Sequence, residues 1–118
     1  MTITLDQTDI AHAQITAAMR HACNTAFGVR NARMGNQSDY VTELEGACGE
    51  AAFSKMTNLF LDLTVAPRSG GHDFLGRNGE KIDVKATKYE QGKLLATLKK
   101  KREDADYYVL LVGECPTY

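Results

Sequence analysis

Long apolar runs are missing from this sequence. The longest candidates, such as Tyr107 to Val112, fall far short of the roughly 20 residues that a membrane helix needs, so a soluble protein is expected. The N-terminal MTITLDQTDIAHAQ carries acids and lacks a basic start followed by an apolar stretch. A secretory signal is therefore not predicted, and the expected location is the cytoplasm. Cysteine is sparse: Cys23, Cys48 and Cys115 are odd in number, widely spaced and free of any C-x-x-C pair. That pattern excludes a disulfide framework and a zinc knuckle and leaves reduced, buried thiols as the expectation. His12, His21 and His72 lack the i, i+4 spacing of a helical metal site, and a structural role is expected for them. No glycine-rich phosphate loop precedes a helix, and no nucleophilic Ser or Cys stands with a paired base. Repeats, low-complexity tracts and linkers are absent too, so a single domain over residues 1–118 is expected.

What is present is an ordinary globular composition, with 43% hydrophobic and 25% charged residues, which excludes a disordered or fibrous chain. The formal net charge of −1 conceals an uneven distribution. Between residues 77 and 102 nine basic residues stand against three acidic ones, whereas the rest of the chain has five basic against twelve acidic. Screening confines each charge to about 10 Å, so a phosphate backbone responds to such a local patch rather than to the net sum. Without further context these lysines simply solvate an exposed helix.

Residues 7–27 are rich in alanine, with apolar positions at Ile10, Ala13, Ala17 and Cys23 or Ala26, and Gly28 follows as a C-terminal stop. This is an N-terminal helical extension. Residues 29–38 read as a connector. Ser38 or Asp39 can cap a second helix, whose Val41, Leu44, Cys48, Ala51, Ala52 and Leu59 recur at helical spacing. Gly46 and Gly49 interrupt it at a cost of about 1 kcal/mol each relative to alanine, which predicts a close approach by another backbone or a substrate. Asp62–Pro67, Gly71–Leu75 and Glu80–Thr87 then read as three short strands. An amphipathic helix carrying Leu94, Leu95 and Leu98 leads to Asp106–Val112, apolar on both faces as an inner strand would be. The order predicts an α/β or α+β domain: a mixed central sheet flanked by helices, with its core in residues 39–112.

Strand alternation sets Ile82, Val84 and Ala86 on one face and Asp83, Lys85 and Thr87 on the other. Asp83 and Lys85 therefore project together, a carboxylate suited to a divalent metal beside an ammonium that can orient water. An acid-x-Lys triplet arises about once by chance in a chain of this size, so its neighbours decide its meaning. Asp73 lies across the turn containing Asn78 and Gly79. A two-residue Asn-Gly loop would set it opposite Val84, on the wrong face; a three-residue loop Arg77-Asn78-Gly79, with Gly79 left-handed, pairs it with Asp83. The second register is expected, and it sets two carboxylates face to face, which is costly unless a cation lies between them. Glu50 sits on the second helix among Gly49, Ala47, Ala51 and Ala52, small enough to bring its carboxylate to the sheet. Glu43 and Glu45 are rivals but read as surface charges.

Together, G-E-x-A on a helix, D-x(9)-D-x-K across a hairpin, an amphipathic helix and an apolar strand resemble the PD-(D/E)XK nuclease superfamily over residues 43–112. The resemblance implies the restriction endonuclease-like αβββαβ core and a catalytic set of Glu50, Asp73, Asp83 and Lys85. It departs from the pattern at His72, which stands where proline often precedes the first strand acid. Glu50, Asp73, Asp83 and the Val84 carbonyl would bind Mg²⁺, with Mn²⁺ as a substitute, and Lys85 would assist the attacking water in hydrolysing DNA. Arg77, Lys88, Gln91, Lys93, Lys99 and Lys100 would contact DNA, and Lys55 is a further phosphate candidate. Tyr107 and Tyr108 read as sheet residues. A homodimer is implied for double-strand cutting, since one domain offers one site, and the compactness fits a phage-encoded member. The competing expectations are a DNA-binding or accessory module that keeps the fold without catalysis, and a metal enzyme for another phosphorylated substrate.

Overall fold

The computed structural model describes residues 2–28, 38–65, 72–89 and 105–118 of the protein. Helix α1 (Gln7–Ala26) starts where Asp6 can cap it. The Asp6 carboxylate accepts from Asp9 N at 2.8 Å while Asp9 accepts from Asp6 N at 3.0 Å, so two otherwise orphaned amides are satisfied reciprocally. Just past the cap, Gly28 takes φ +69°, the left-handed conformation that ends helices. Helix α2 (Asp39–Thr57) is capped by the Ser38 hydroxyl, which accepts from Val41 N at 3.2 Å, and stops at Asn58 with φ 58°.

Three contacts run in opposite order along the two helices, Asp9 with Lys55, Arg20 with Glu50, and Asn24 with Glu43, so α1 and α2 are antiparallel. Their shared face is built of small side chains: Ala13 and Ala17 from α1 join Ala47, Cys48, Ala51 and Ala52 from α2 in one buried cluster with Leu5. Small residues at a helix contact allow a close approach. The chain ends are tied together beside this cluster, because Ile3 N donates to Tyr118 O at 2.7 Å and Tyr118 N to Ile3 O at 2.9 Å.

The sheet has three strands in the order β1 (Phe74–Leu75), β2 (Lys81–Thr87), β3 (Tyr107–Val112). The first pair is antiparallel and the second parallel, which makes an α+β arrangement with a mixed sheet. A parallel neighbour requires a crossover of a dozen or more residues; residues 88–106 supply it. The helix expected around Leu94–Leu98 lies outside the described residues. A second cluster joins Phe53 of α2 to Phe74 and Val84 of the sheet, with Ile82, Val109 and Leu111 packed around them. Phe53 and Phe74 meet edge to face, with centroids 5.0 Å apart, a geometry worth about 0.5–1.5 kcal/mol beyond area burial. Helix α2 rides on β2 at Gly49, where an added Cβ would stand only 2.7 Å from the Ala86 Cβ. The close approach expected at the helix glycines thus occurs at Gly49, whereas the space beside Gly46 is open.

Three expectations are corrected. Residues 62–65 form no strand, because the carbonyls of Asp62 and Thr64 are taken by the Arg20 guanidinium and Thr64 N bonds the Asp62 side chain; residues 66 and 67 lie outside the described set. The strand expected over Gly71–Leu75 is assigned only at Phe74–Leu75. Strand β3 is not apolar-buried on both sides: Tyr107, Tyr108 and Val112 are exposed, and among the described residues β3 ends the sheet. All three cysteines are free thiols, but only Cys48 is fully buried, and burial pushes its thiol above the ordinary range. Among the described residues no helix is long and apolar enough to cross a membrane.

Candidate active site

The hairpin between β1 and β2 fixes the first half of the site. Phe74 pairs with Ile82 and Leu75 with Lys81, while Gly76 N donates to Glu80 O at 2.7 Å and Gly79 N to Gly76 O at 3.0 Å. The loop is therefore the three-residue Arg77-Asn78-Gly79, with Gly79 at φ +83°, a left-handed position that favours glycine. Continuing this register by one residue sets Asp73 opposite Asp83. Asp73 Oδ2 accepts from Val84 N at 2.7 Å, so the carboxylate is anchored to the backbone of the neighbouring strand. Val84 meets the site through this amide, and its side chain belongs to the apolar cluster. Burial raises the Asp73 carboxyl above its ordinary range; the Val84 amide and the Lys85 ammonium oppose the rise, and the charge of Asp83 adds to it.

Strand β2 alternates as its sequence dictates. Ile82 and Val84 enter the core, and Ala86 lies under Gly49, which leaves Asp83 and Lys85 on the opposite face. Asp83 is 2% exposed, and Lys85 Nζ stands 2.7 Å from its Oδ2.

Glu50 reaches Asp73 from α2, one residue beyond the close approach at Gly49. Burial pushes its carboxyl up to about 7, with the charge of Asp73 as the next cause and Arg20 and Lys85 opposing. Glu50 and Asp73 line a single cleft together with Arg20, Asp62, Thr64 and His72. The four residues Glu50, Asp73, Asp83 and Lys85 thus form a continuous group: Glu50 faces Asp73 across the cleft, Asp73 stands beside Asp83, and Asp83 is paired with Lys85.

Arg20 is the site residue that sequence reasoning missed. Its Nη1 donates to Glu50 Oε2 at 3.2 Å, its Nη2 to Asp62 O at 3.0 Å and its Nε to Thr64 O at 3.3 Å. A signal for it exists in the sequence: Arg20 is in phase with Ala13, Thr16, Ala17 and Asn24, the buried stripe of α1. A cation on an otherwise buried helix stripe needs an anionic partner on the facing element.

Other expectations divide. Glu43 is no surface charge: it is 6% exposed and accepts from Asn24 Nδ2 at 2.9 Å, because the antiparallel packing turns its helix face toward α1. Lys55 is engaged by Asp9 at 2.9 Å and Asp6 at 3.7 Å, which ties it to the start of α1. His72, expected to be structural, is an exposed residue at the cleft. Arg77 and Lys88 are exposed, with Lys88 Nζ 5.7 Å from the Tyr89 ring centroid. Gln91, Lys93, Lys99 and Lys100 lie outside the described residues.

Among the described residues no three His, Cys, Asp or Glu side chains form a ready-made metal cage. The Asp83 carboxylate is paired with Lys85 and that of Glu50 with Arg20; Glu50, Asp62 and Asp73 are the carboxylates that line the cleft. Carboxylate oxygens are the donors a hard divalent cation takes, and Glu50 and Asp73 raise each other's charge cost. No known protein family, curated protein or solved structure matches the chain.

Proposed function

We propose that the chain is a Mg²⁺-dependent deoxyribonuclease of the PD-(D/E)XK type, built on a restriction endonuclease-like core. The observation that carries this reading is the hairpin register: it sets Asp73 beside the Asp83–Lys85 pair, at the cleft that Glu50 reaches from α2. Glu50 and Asp73 would hold the metal, with Asp83 within reach of Asp73, and Mn²⁺ would substitute. Bound there, the cation would acidify a water and stabilise charge on phosphoryl oxygens. The Lys85 ammonium would orient the attacking water and offset charge developing on the phosphate, while Val84 N holds Asp73 in place. Exposed Arg77 and Lys88 would meet the DNA backbone with little sequence preference. Cutting both strands calls for a second site, and hence a homodimer.

A second reading, a DNA-binding module without catalysis, is favoured by one observation: the Arg20–Glu50 and Lys85–Asp83 pairs give two of the three acids a cation within the protein. Plasmid nicking separates the two. The nuclease converts supercoiled plasmid to nicked or linear forms with Mg²⁺ or Mn²⁺, is silenced by EDTA, and loses activity in Lys85→Ala while retaining metal binding. Binding of plasmid without metal-dependent nicking, or full activity in Lys85→Ala, contradicts the assignment.

A further inference from the structure

The cleft that Glu50 and Asp73 line is acidic, and a phosphodiester is an anion. Three of its lining residues, Glu50, Asp62 and Asp73, are carboxylates, and the permanently cationic one is Arg20. We propose that Arg20 is the phosphate-binding residue of this site, gripping the non-bridging oxygens of the phosphodiester that enters the cleft. The choice of ligand rests on the nuclease reading above; the guanidinium geometry does not.

Three features of Arg20 support the assignment. The guanidinium is fixed in place by acceptors on two different elements, the Glu50 carboxylate of α2 and the carbonyls of Asp62 and Thr64, so it is already oriented before a ligand arrives and little side-chain freedom remains to be lost. Those three bonds use three of its five N–H groups. Among the described residues one N–H on Nη1 and one on Nη2 remain, both charged donors of the kind that phosphate oxygens accept from. Finally, its side chain is 19% exposed, sheltered enough for charge-assisted bonds to be stronger than at an open surface yet reachable from the cleft.

A purely structural Arg20 would tie residues 62–64 to α1 and do nothing else, so the test needs a readout that a structural tie does not move. The affinity of the full-length protein for a short fluorescein-labelled DNA duplex is measured by anisotropy in Ca²⁺ over a range of KCl concentrations, for the wild type, Arg20→Gln and Arg20→Lys. Losing one phosphate contact lowers the slope of log affinity against log salt by about one. Arg20→Gln is expected to show that loss together with affinity weakened about tenfold. Arg20→Lys is expected to keep the slope and lose several-fold in affinity, because the charge stays while the fork goes. Should Arg20→Gln fail to fold, Arg20→Lys decides. Unchanged affinity and slope in a folded variant overturns the proposal, as does a wild type that does not bind the duplex.

Mg²⁺-dependent nicking by the wild type is scored separately. Cleavage with Arg20-independent binding overturns the phosphate role and leaves the nuclease standing. Arg20-dependent binding without cleavage supports the phosphate role and overturns the nuclease.

Discussion

Glu43 and Glu50 lie seven residues apart on α2, face the same neighbouring helix and are both largely buried, yet they are in different chemical situations. Glu43 meets the Asn24 amide, a neutral donor that satisfies a carboxylate oxygen inside the helix pair. Glu50 meets Arg20 on one side and the carboxylate of Asp73 on the other. A buried acid beside a donor is architecture; a buried acid facing a second acid across a cleft holds unfavourable charge that a cation would relieve. The partner, and not the burial, distinguishes a site from a strut.

The largest effect is expected at Glu50 itself. Glu50→Gln should lower metal-dependent cleavage by about 10²- to 10³-fold, the scale of losing one directly acting electrostatic group, whereas Glu43→Gln leaves cleavage intact; steady-state nicking rates for both variants check this. In stability the order reverses, because Glu43 is the structural one. Asn24→Ala strips a donor from its buried carboxylate and should cost about 1–2 kcal/mol, read from urea unfolding. Gly49→Ala forces a Cβ against Ala86 and should cost about 1–3 kcal/mol by overpacking. It should also lower activity, since Glu50 is the next residue on the helix.

The pH dependence discriminates further. Glu50 is raised from near 4.5 to about 7, so between those values the folded metal-free protein holds a proton that the unfolded chain has released. Stability contributed by this group therefore falls as pH rises through that window. Asp73, also raised, acts in the same direction. Glu50→Gln should flatten the fall in denaturation midpoint over this range, and saturating Mg²⁺ should offset it in the wild type, since the cation binds the ionised form.

Much of this arrangement was legible in the sequence because it is local. Gly79 selects a loop length, the loop length sets the register, and that register, continued from Phe74–Ile82, stands Asp73 across from Asp83. Alternation along Lys81–Thr87 separates the core face from the charged face, and Gly49 marks the close approach of α2. What was not legible depends on pairing between distant elements. Arg20 is recognisable only when α1 is known to pack against α2, and the burial of Glu43 has the same origin. Residues 62–65 have strand-like composition, but the Asp62 and Thr64 carbonyls bond a side chain from a helix more than 40 residues away; no local pattern encodes that competition.

If the cleft is catalytic, Glu50 and Asp73 share a cation. A crystal of the metal-free protein soaked in Mn²⁺ and measured at the manganese edge tests this most directly. An anomalous peak between the two carboxylates is the predicted result, weakened in crystals soaked well below pH 7, where Glu50 is protonated. A peak found elsewhere, or no peak at saturating Mn²⁺, would contradict it.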